Sequence, residues 1–290
     1  MRPEEVTVTV QRRPVIAGVD GSTASFGAAR WAADEAVRLG QPLNVIRVVE
    51  PPGPAGEDAD EHRVAIDIAA ACRQWQPGLD VTAAVWGGDP AAELCGHSRN
   101  ASLVVVASRG FGGFHSLAVG SVSTHLAGYA HCPVLVVHHG ERWAGPESML
   151  PRHLPILVGV DGPSSHGDVL GLAFDEAAHR HVPLIAMHAW QRPSGGHGWS
   201  AGVDGPHTAA VRELAAAVEP WLAKYPTVDV SRRVVEGTAS TALLSAGCDA
   251  LMVVLGARGA GGFQDLRLGA VVQQVLHHTD VPVLVVRHDR

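Results

Sequence analysis

The chain has 290 residues, 46% of them hydrophobic and 18% charged, with a formal net charge of −7. That length can bury a core in each of two domains, and an acidic balance without a basic cluster argues against a nucleic-acid surface. No run approaches about 18 successive apolar residues, and the start, with Glu4 and Glu5, does not read as a secretory leader, so the expectation is a cytoplasmic protein with no membrane insertion.

Short apolar runs rich in β-branched residues recur along the chain: Val15–Val19, Leu43–Val49, Val81–Val85, Leu103–Ala107 and Val134–Val137, then Ile156–Val160, Leu184–Ala189, Val228–Val235, Leu251–Leu255 and Val283–Val286. Runs of this kind predict strands covered on both faces. After the first run, Ala28, Trp31, Ala32, Ala36 and Leu39 fall on one helical face, with Gly40 as its C-cap. The equivalent stripe in the second half is Val169, Leu172, Ala173, Ala177 and Arg180, apolar until its last member. Strand–helix alternation specifies a parallel sheet with helices on both sides.

The chain says nearly the same thing twice. "PVIAGVDGS" from Pro14 returns as "PILVGVDGP" from Pro155, placing Asp20 and Asp161 141 positions apart. "SRGFGGFHSLAVGSV" from Ser108 returns as "ARGAGGFQDLRLGAV" from Ala257, and "CPVLVVHH" from Cys132 as "VPVLVVRH" from Val281, both at an offset of 149. The period is too long for a solenoid, so two tandem domains are expected, 1–142 and 152–290, joined by a linker at His139–His153. The eight extra residues of the second copy fall between Trp190 and Asp229. They extend the Gly/Pro/Ser-rich stretch Gln191–His207 relative to Glu50–His62, and both stretches read as loops at the carboxyl edge of the sheet.

The strongest chemical signal follows the fourth strand of each half. Ala107-x-x-Gly110 is followed after nine residues by Gly120-Ser121, and Gly256-x-x-Gly259 after nine by Gly269-Ala270. A loop leaving the carboxyl end of a parallel strand and feeding a helix is where open α/β sheets bind ligands. Gly110, Gly112 and Gly113, with Gly259 and Gly262 in the second copy, let backbone N–H groups converge on an anion. The helix opening at Gly120, Ser121, Val122 and Ser123 adds free N–H groups and a positive dipole end, and Ser121 and Ser123 offer hydroxyl donors. Arg109 and Arg258 flank the loops and can neutralise phosphate. Asp20 and Asp161 bring a carboxylate to the same edge; an aspartate there also serves as an N-cap for the following helix, and the two roles are compatible.

On these motifs both halves resemble the universal stress protein family, in its subclass with a Gly-x2-Gly-x9-Gly-Ser/Thr nucleotide motif, and the tandem arrangement is similar to mycobacterial and other actinobacterial members. The resemblance covers nearly the whole chain. It implies a doubly wound, Rossmann-like α/β fold of the adenine-nucleotide hydrolase type, with the domains paired through their last strands. It implies ATP with Mg²⁺ as cofactors, with Asp20 and Asp161 near the nucleoside and metal, Gly18 and Gly159 at the strand ends, and the Val48 and Ala189 backbones meeting adenine. Each copy departs from the pattern once: Ala107 replaces the first glycine, and Ala270 replaces the hydroxyl residue. Val272 also stands where the first copy has Ser123, so the second site is expected to bind phosphate more weakly.

Three functions compete: a regulatory protein in which ATP is a ligand, a slow ATPase or nucleotide hydrolase, and a partner-binding module with vestigial sites. A homodimer and an unidentified regulatory protein partner are expected in the first case. A cyclic nucleotide is a further candidate ligand. The other chemistry-bearing residues carry less. Cys72, Cys95, Cys132 and Cys248 lack zinc or redox spacing and read as buried thiols in a reducing cytoplasm. His138 and His139, neighbours on a strand, point to opposite faces and make poor joint metal ligands. There is no GxSxG elbow or GxxxxGK[ST] loop, and the single lysine, Lys224, is remote from any glycine-rich loop.

Overall fold

The ten apolar runs become ten strands of one sheet. The computed structural model describes residues 12–49, 58–110, 119–145, 153–162, 167–192, 205–259 and 267–287. In the first half β1 (Val15–Val19), β2 (Leu43–Val49), β3 (Val81–Gly87), β4 (Leu103–Ala107) and β5 (Val134–Val137) alternate with α1 (Thr23–Leu39), α2 (Asp58–Trp75), α3 (Pro90–His97) and α4 (Ser121–Tyr129). The second half repeats this with β6 (Ile156–Gly159), β7 (Leu184–Trp190), β8 (Val230–Glu236), β9 (Met252–Gly256) and β10 (Val283–Val286), and with α5 (Gly167–Arg180), α6 (Pro206–Lys224), α7 (Ala239–Gly247) and α8 (Ala270–His278).

Strand ends shift from the sequence reading by two residues or fewer. β8 begins at Val230 because the Val228 N–H closes a turn onto Tyr225 O. Helix α1 ends at Gly40 as expected, in the left-handed conformation at φ 62°. Two loop expectations need correction. Asp58–His62 belongs to α2, and Pro206 opens α6 from Gly205, since proline suits the first helical position. The remainder of those loops, 50–57 and 193–204, lies outside the described residues.

The strand order is β3-β2-β1-β4-β5-β10-β9-β6-β7-β8. Within each half the pairs are parallel, while β5 and β10 meet antiparallel with Val134 opposite Val285, Leu135 opposite Leu284 and Val136 opposite Val283. These residues are equivalent at the 149 offset, so a pseudo-two-fold axis passes between Leu135 and Leu284. The terminal strands therefore pair as expected. Each gains a cover for its edge, and one apolar core runs across both halves on each face of the sheet.

Side chains reinforce that seam. His138 Nε2 donates to Leu276 O at 2.8 Å, and Arg287, its counterpart at the 149 offset, donates to Ala130 O at 3.0 Å. On the other face, α1 and α5 share a buried ion-pair quartet. Arg38 meets Glu35 at 2.8 Å and Glu176 at 2.6 Å, and Arg180 meets Glu176 at 3.0 Å and also Glu35. Arg180 completes an otherwise apolar stripe because its charge is spent across the domain boundary, with its guanidinium 5.3 Å from the Trp31 ring.

The linker is more ordered than a connecting stretch need be. Gly140–Trp143 forms a 3₁₀ turn laid on α1. A Cβ on Gly27 would overlap the Gly140 carbonyl, and one on Gly140 would overlap that of Ala24. Trp143 packs edge-on against Trp31 at 6.0 Å.

Candidate functional site

A cavity of about 500 Å³ opens at the carboxyl edge of the first half, where β1 and β4 diverge towards their separate helices. This is the switch point at which the strand order reverses. Ile46, Val48, Leu94, Val106 and Val119 make an apolar wall. Asp20, Ser25, Ser108, Arg109, Ser121 and Ser123 supply the polar side. Of the residues singled out from the sequence, Gly18, Asp20, Val48, Arg109, Gly110, Gly120, Ser121, Val122 and Ser123 all line it. Gly112, Gly113 and Gly262 lie outside the described residues.

Sequence reasoning missed Ser25, Ile46, Pro90, Leu94, Val106, Ser108 and Val119. A signal existed for part of the wall. Ile46 and Val48 share one face of β2 at period two, and Leu94 and Val119 recur as Leu243 and Leu268 at the 149 offset. Gly18 is needed for that wall, since a Cβ there would sit 2.8 Å from Leu94 Cδ1 and 2.9 Å from Val106 Cγ1. Gly159 has the same role, with Leu255 Cδ2 at 2.6 Å.

Asp20 is not the N-cap of α1. Ser22 is: its Oγ accepts from Ser25 N at 3.1 Å and donates to Asp20 Oδ1 at 2.6 Å, and the Ser22 N–H also donates to Oδ1 at 3.0 Å. The carboxylate thus braces the cap, while Oδ2 faces Gly110 so closely that a Cβ there would overlap it. Gly259 stands in the same relation to Asp161 Oδ2. Neither glycine is among those with positive φ, so space, not backbone angle, requires glycine at both.

The floor of the cavity is the N-terminus of α4. Helices α1, α3 and α7 are capped by Ser22, Asp89 and Thr238, but α4 begins at Gly120 and α8 at Gly269 with no side-chain cap. The first bond inside α4 is Thr124 N–H to Gly120 O at 3.1 Å, so the N–H groups of Ser121, Val122 and Ser123 precede it and face the opening. Uncapped donors plus the helix dipole favour an anion. The loop base is clasped by Gly120 N–H to Ser108 O at 2.7 Å, and by Gly269 N–H to Ala257 O at 2.8 Å in the second half.

Ser123 contributes differently from the sequence expectation. Its Oγ lies 3.2 Å from Ser108 O and 3.1 Å from Gly120 O, so its one proton is directed at the clasp. Val272 provides no such bond in the second copy. His138 is spent on Leu276 O, and among the described residues no group of three or more His, Cys, Asp or Glu is arranged to hold a metal ion. Among those residues, too, no helix is long and apolar enough to cross a membrane. Of the four cysteines expected to be buried, Cys72 and Cys132 are, while Cys95 is half-buried and Cys248 exposed.

Comparison with known proteins agrees with this architecture. Residues 11–138 and 154–287 each match the Universal stress protein family. A universal stress protein of Mycolicibacterium smegmatis is 34% identical over 292 residues, covering 94% of this chain and 96% of that protein. One of Mycobacterium tuberculosis is 35% identical over 293 residues, with the same coverage. A crystal structure of a universal stress protein from Archaeoglobus fulgidus superposes with a TM-score of 0.68 at 22% identity, covering 96% of this chain and 100% of that one, a likeness of fold. Matched in each half and along nearly its whole length, the chain belongs to the universal stress protein family, of which it carries two domains in tandem.

Proposed function

We propose that this protein is an ATP-binding regulatory protein of the stress response, holding the nucleotide at the carboxyl edge of the sheet in each half. The observation that carries this reading is the glycine-led, uncapped N-terminus of α4, set at the floor of a cavity with an apolar wall. A cavity of about 500 Å³ is within the usual size range of small-ligand sites. The wall of Ile46, Val48 and Leu94 suits a base, and the α4 amides with Arg109 and Ser121 suit phosphate. In the second half, Gly159, Asp161, Ala189, Gly256, Arg258, Gly259 and Gly269 take the equivalent roles.

Asp20 is the one carboxylate among the described residues of the cavity lining, with Oδ1 already accepting from Ser22. The residues fit Mg²⁺ only as an ion held chiefly by the phosphates, with Asp20, or Asp161 in the second half, on its outer side. The ion would neutralise phosphate charge. ATP is taken here as a ligand and not as a consumed substrate, because among the described residues the remaining polar lining consists of hydroxyls and one guanidinium, none of them a ready general base. The same reading sets the domains at 1–142 and 152–290 and places the protein in the cytoplasm, as a homodimer acting through a protein partner.

The test is direct. The purified full-length protein is denatured and any released nucleotide identified and counted per chain, alongside calorimetric titration with ATP and with cyclic AMP. Adenine nucleotide at up to two per chain supports the reading. An empty protein that binds neither ligand defeats it, and steady-state turnover in the presence of ATP would move it to the hydrolase class.

A further inference from the structure

The outer strands of the sheet are β3 and β8, which the duplication makes the same strand of the fold at the 149 offset. Their sequences have diverged. β8 carries Arg232, Arg233 and Glu236 where β3 has Ala83, Ala84 and Gly87, and Val235 where β3 has Trp86. An outer strand offers a row of N–H and C=O groups to any other strand, and natural proteins guard such edges with charge. β8 is guarded in this way. β3, from Val81 to Gly87, contains neither a charged residue nor a proline.

Arg73 donates to Val81 O at the start of this edge, and apolar surface accompanies the rest of it on both faces. Trp86 is 46% exposed, its ring lying 4.9 Å from that of His97. On the other face α2, which packs over β2 and β3, exposes 55% of Ile66. Arg63 and Asp67 flank Ile66 and are exposed as well, so antiparallel apposition of two copies sets opposite charges against each other.

We propose that β3 pairs antiparallel with β3 of a second copy of this chain, about a two-fold axis through Ala84. That register places Ala84 opposite Ala84, Ala83 opposite Val85 and Thr82 opposite Trp86, with no like charges facing one another. A second copy is favoured over a foreign strand because the edge is self-complementary and isologous contacts close at two. The fold already joins its own halves by antiparallel pairing of equivalent strands, Val134–Val136 with Val283–Val285. The arginines of β8 stop the assembly at a dimer, where two open edges would give a filament. The inference rests on the sheet alone and stands or falls independently of nucleotide binding.

Light scattering on the size-fractionated full-length chain tests it. The expected mass is twice that of the 30.3 kDa chain. Copying β8 into β3 with A83R/A84R should halve the mass while leaving the circular dichroism spectrum unchanged; T82K, at an exposed position, is the second variant should that one fail to fold. Mild oxidation of A84C should link two chains through position 84, mapped by peptide mass, whereas R233C should not link. A monomeric wild type, a folded A83R/A84R or T82K chain that stays dimeric, or a dimer in which A84C does not cross-link would overturn the proposal.

Discussion

The α-carbon of Gly110 rests against the carboxylate of Asp20, leaving no room for a Cβ beside Oδ2. The same pair recurs as Gly259 and Asp161. The contact ties the Gly110 loop to the end of β1, and through Ser22 to the first turn of α1.

Replacing Gly110 with alanine should displace the loop, at a cost of about 1–3 kcal/mol as for overpacking elsewhere. Nucleotide affinity in the first site should fall at least about tenfold, since 1.4 kcal/mol is a factor of ten. Adding D20G to G110A should recover part of the thermal stability, because it removes the clash. Calorimetry and thermal melts of the two single variants and the double variant provide the check. Wild-type affinity in G110A would mean that this loop is a turn and not a cradle.

The two sites should differ in strength. Ser121 and the Ser123 clasp in the first half are replaced by Ala270 and Val272 in the second. A neutral hydrogen bond is worth about 0.5–1.5 kcal/mol. In the full-length chain with one site blocked, G259V should therefore retain roughly 2- to 10-fold tighter ATP binding than G110V. Equal affinities, or a tighter second site, would remove the argument for asymmetry.

The quartet between α1 and α5 should be expensive to break. R180M leaves Glu35 and Glu176, both buried, with only Arg38 between them. The expected loss is about 3–5 kcal/mol, measured by denaturant unfolding. Replacing all four residues by apolar side chains of similar volume should cost much less, since no uncompensated charge remains.

The same quartet has a pH signature. Burial, reinforced by the neighbouring Glu35 carboxylate, pushes Glu176 up to about 7 from an ordinary 4.5. Burial works against Glu35 as well, but Arg180 and Arg38 outweigh it and hold that carboxyl low. Folded Glu176 binds its proton more tightly than the unfolded chain does. Its contribution to stability is therefore complete below 4.5 and lost as pH rises towards about 7. Melting temperature measured across this window should contain a falling component that E176Q lacks. Parallel pH profiles for the two proteins would contradict the assignment.

His138 should act with the opposite sign. Burial lowers it from 6.5 to about 4. Nε2 donates to Leu276 O, and Nδ1 has no hydrogen-bond partner. The groups that bear on its charge are His139 beside it and Asp280 from the second half. A depressed histidine contributes stability above its ordinary value and loses it as pH falls from 6.5 towards about 4. H138L should be less stable than wild type at neutral pH through loss of the Leu276 bond, and the difference should shrink on acidification. A difference that is constant with pH would show that folding leaves the proton affinity of His138 unchanged.

Much of this protein is written into the chain itself. Parallel strands buried on both faces must be apolar throughout, so Val15–Val19 and Val134–Val137 announce themselves as strands. Duplication then marks which glycines recur, among them Gly110 with Gly259 and Gly120 with Gly269. What the sequence leaves open is any choice that depends on a neighbour distant in the chain. Asp20 and Ser22 are both competent N-caps, and the folded chain shows that Ser22 takes the Ser25 N–H while Asp20 braces it and turns Oδ2 towards the distant Gly110. Arg180 looks like a break in an apolar stripe until Glu35, from the other half, is set against it. Leu94 is one apolar residue on a short helix until the sheet brings it over Gly18. The antiparallel seam, too, is a tertiary decision: Val134–Val137 and Val283–Val286 have the same pattern in either direction, and the pseudo-two-fold packing of the two halves selects the one observed.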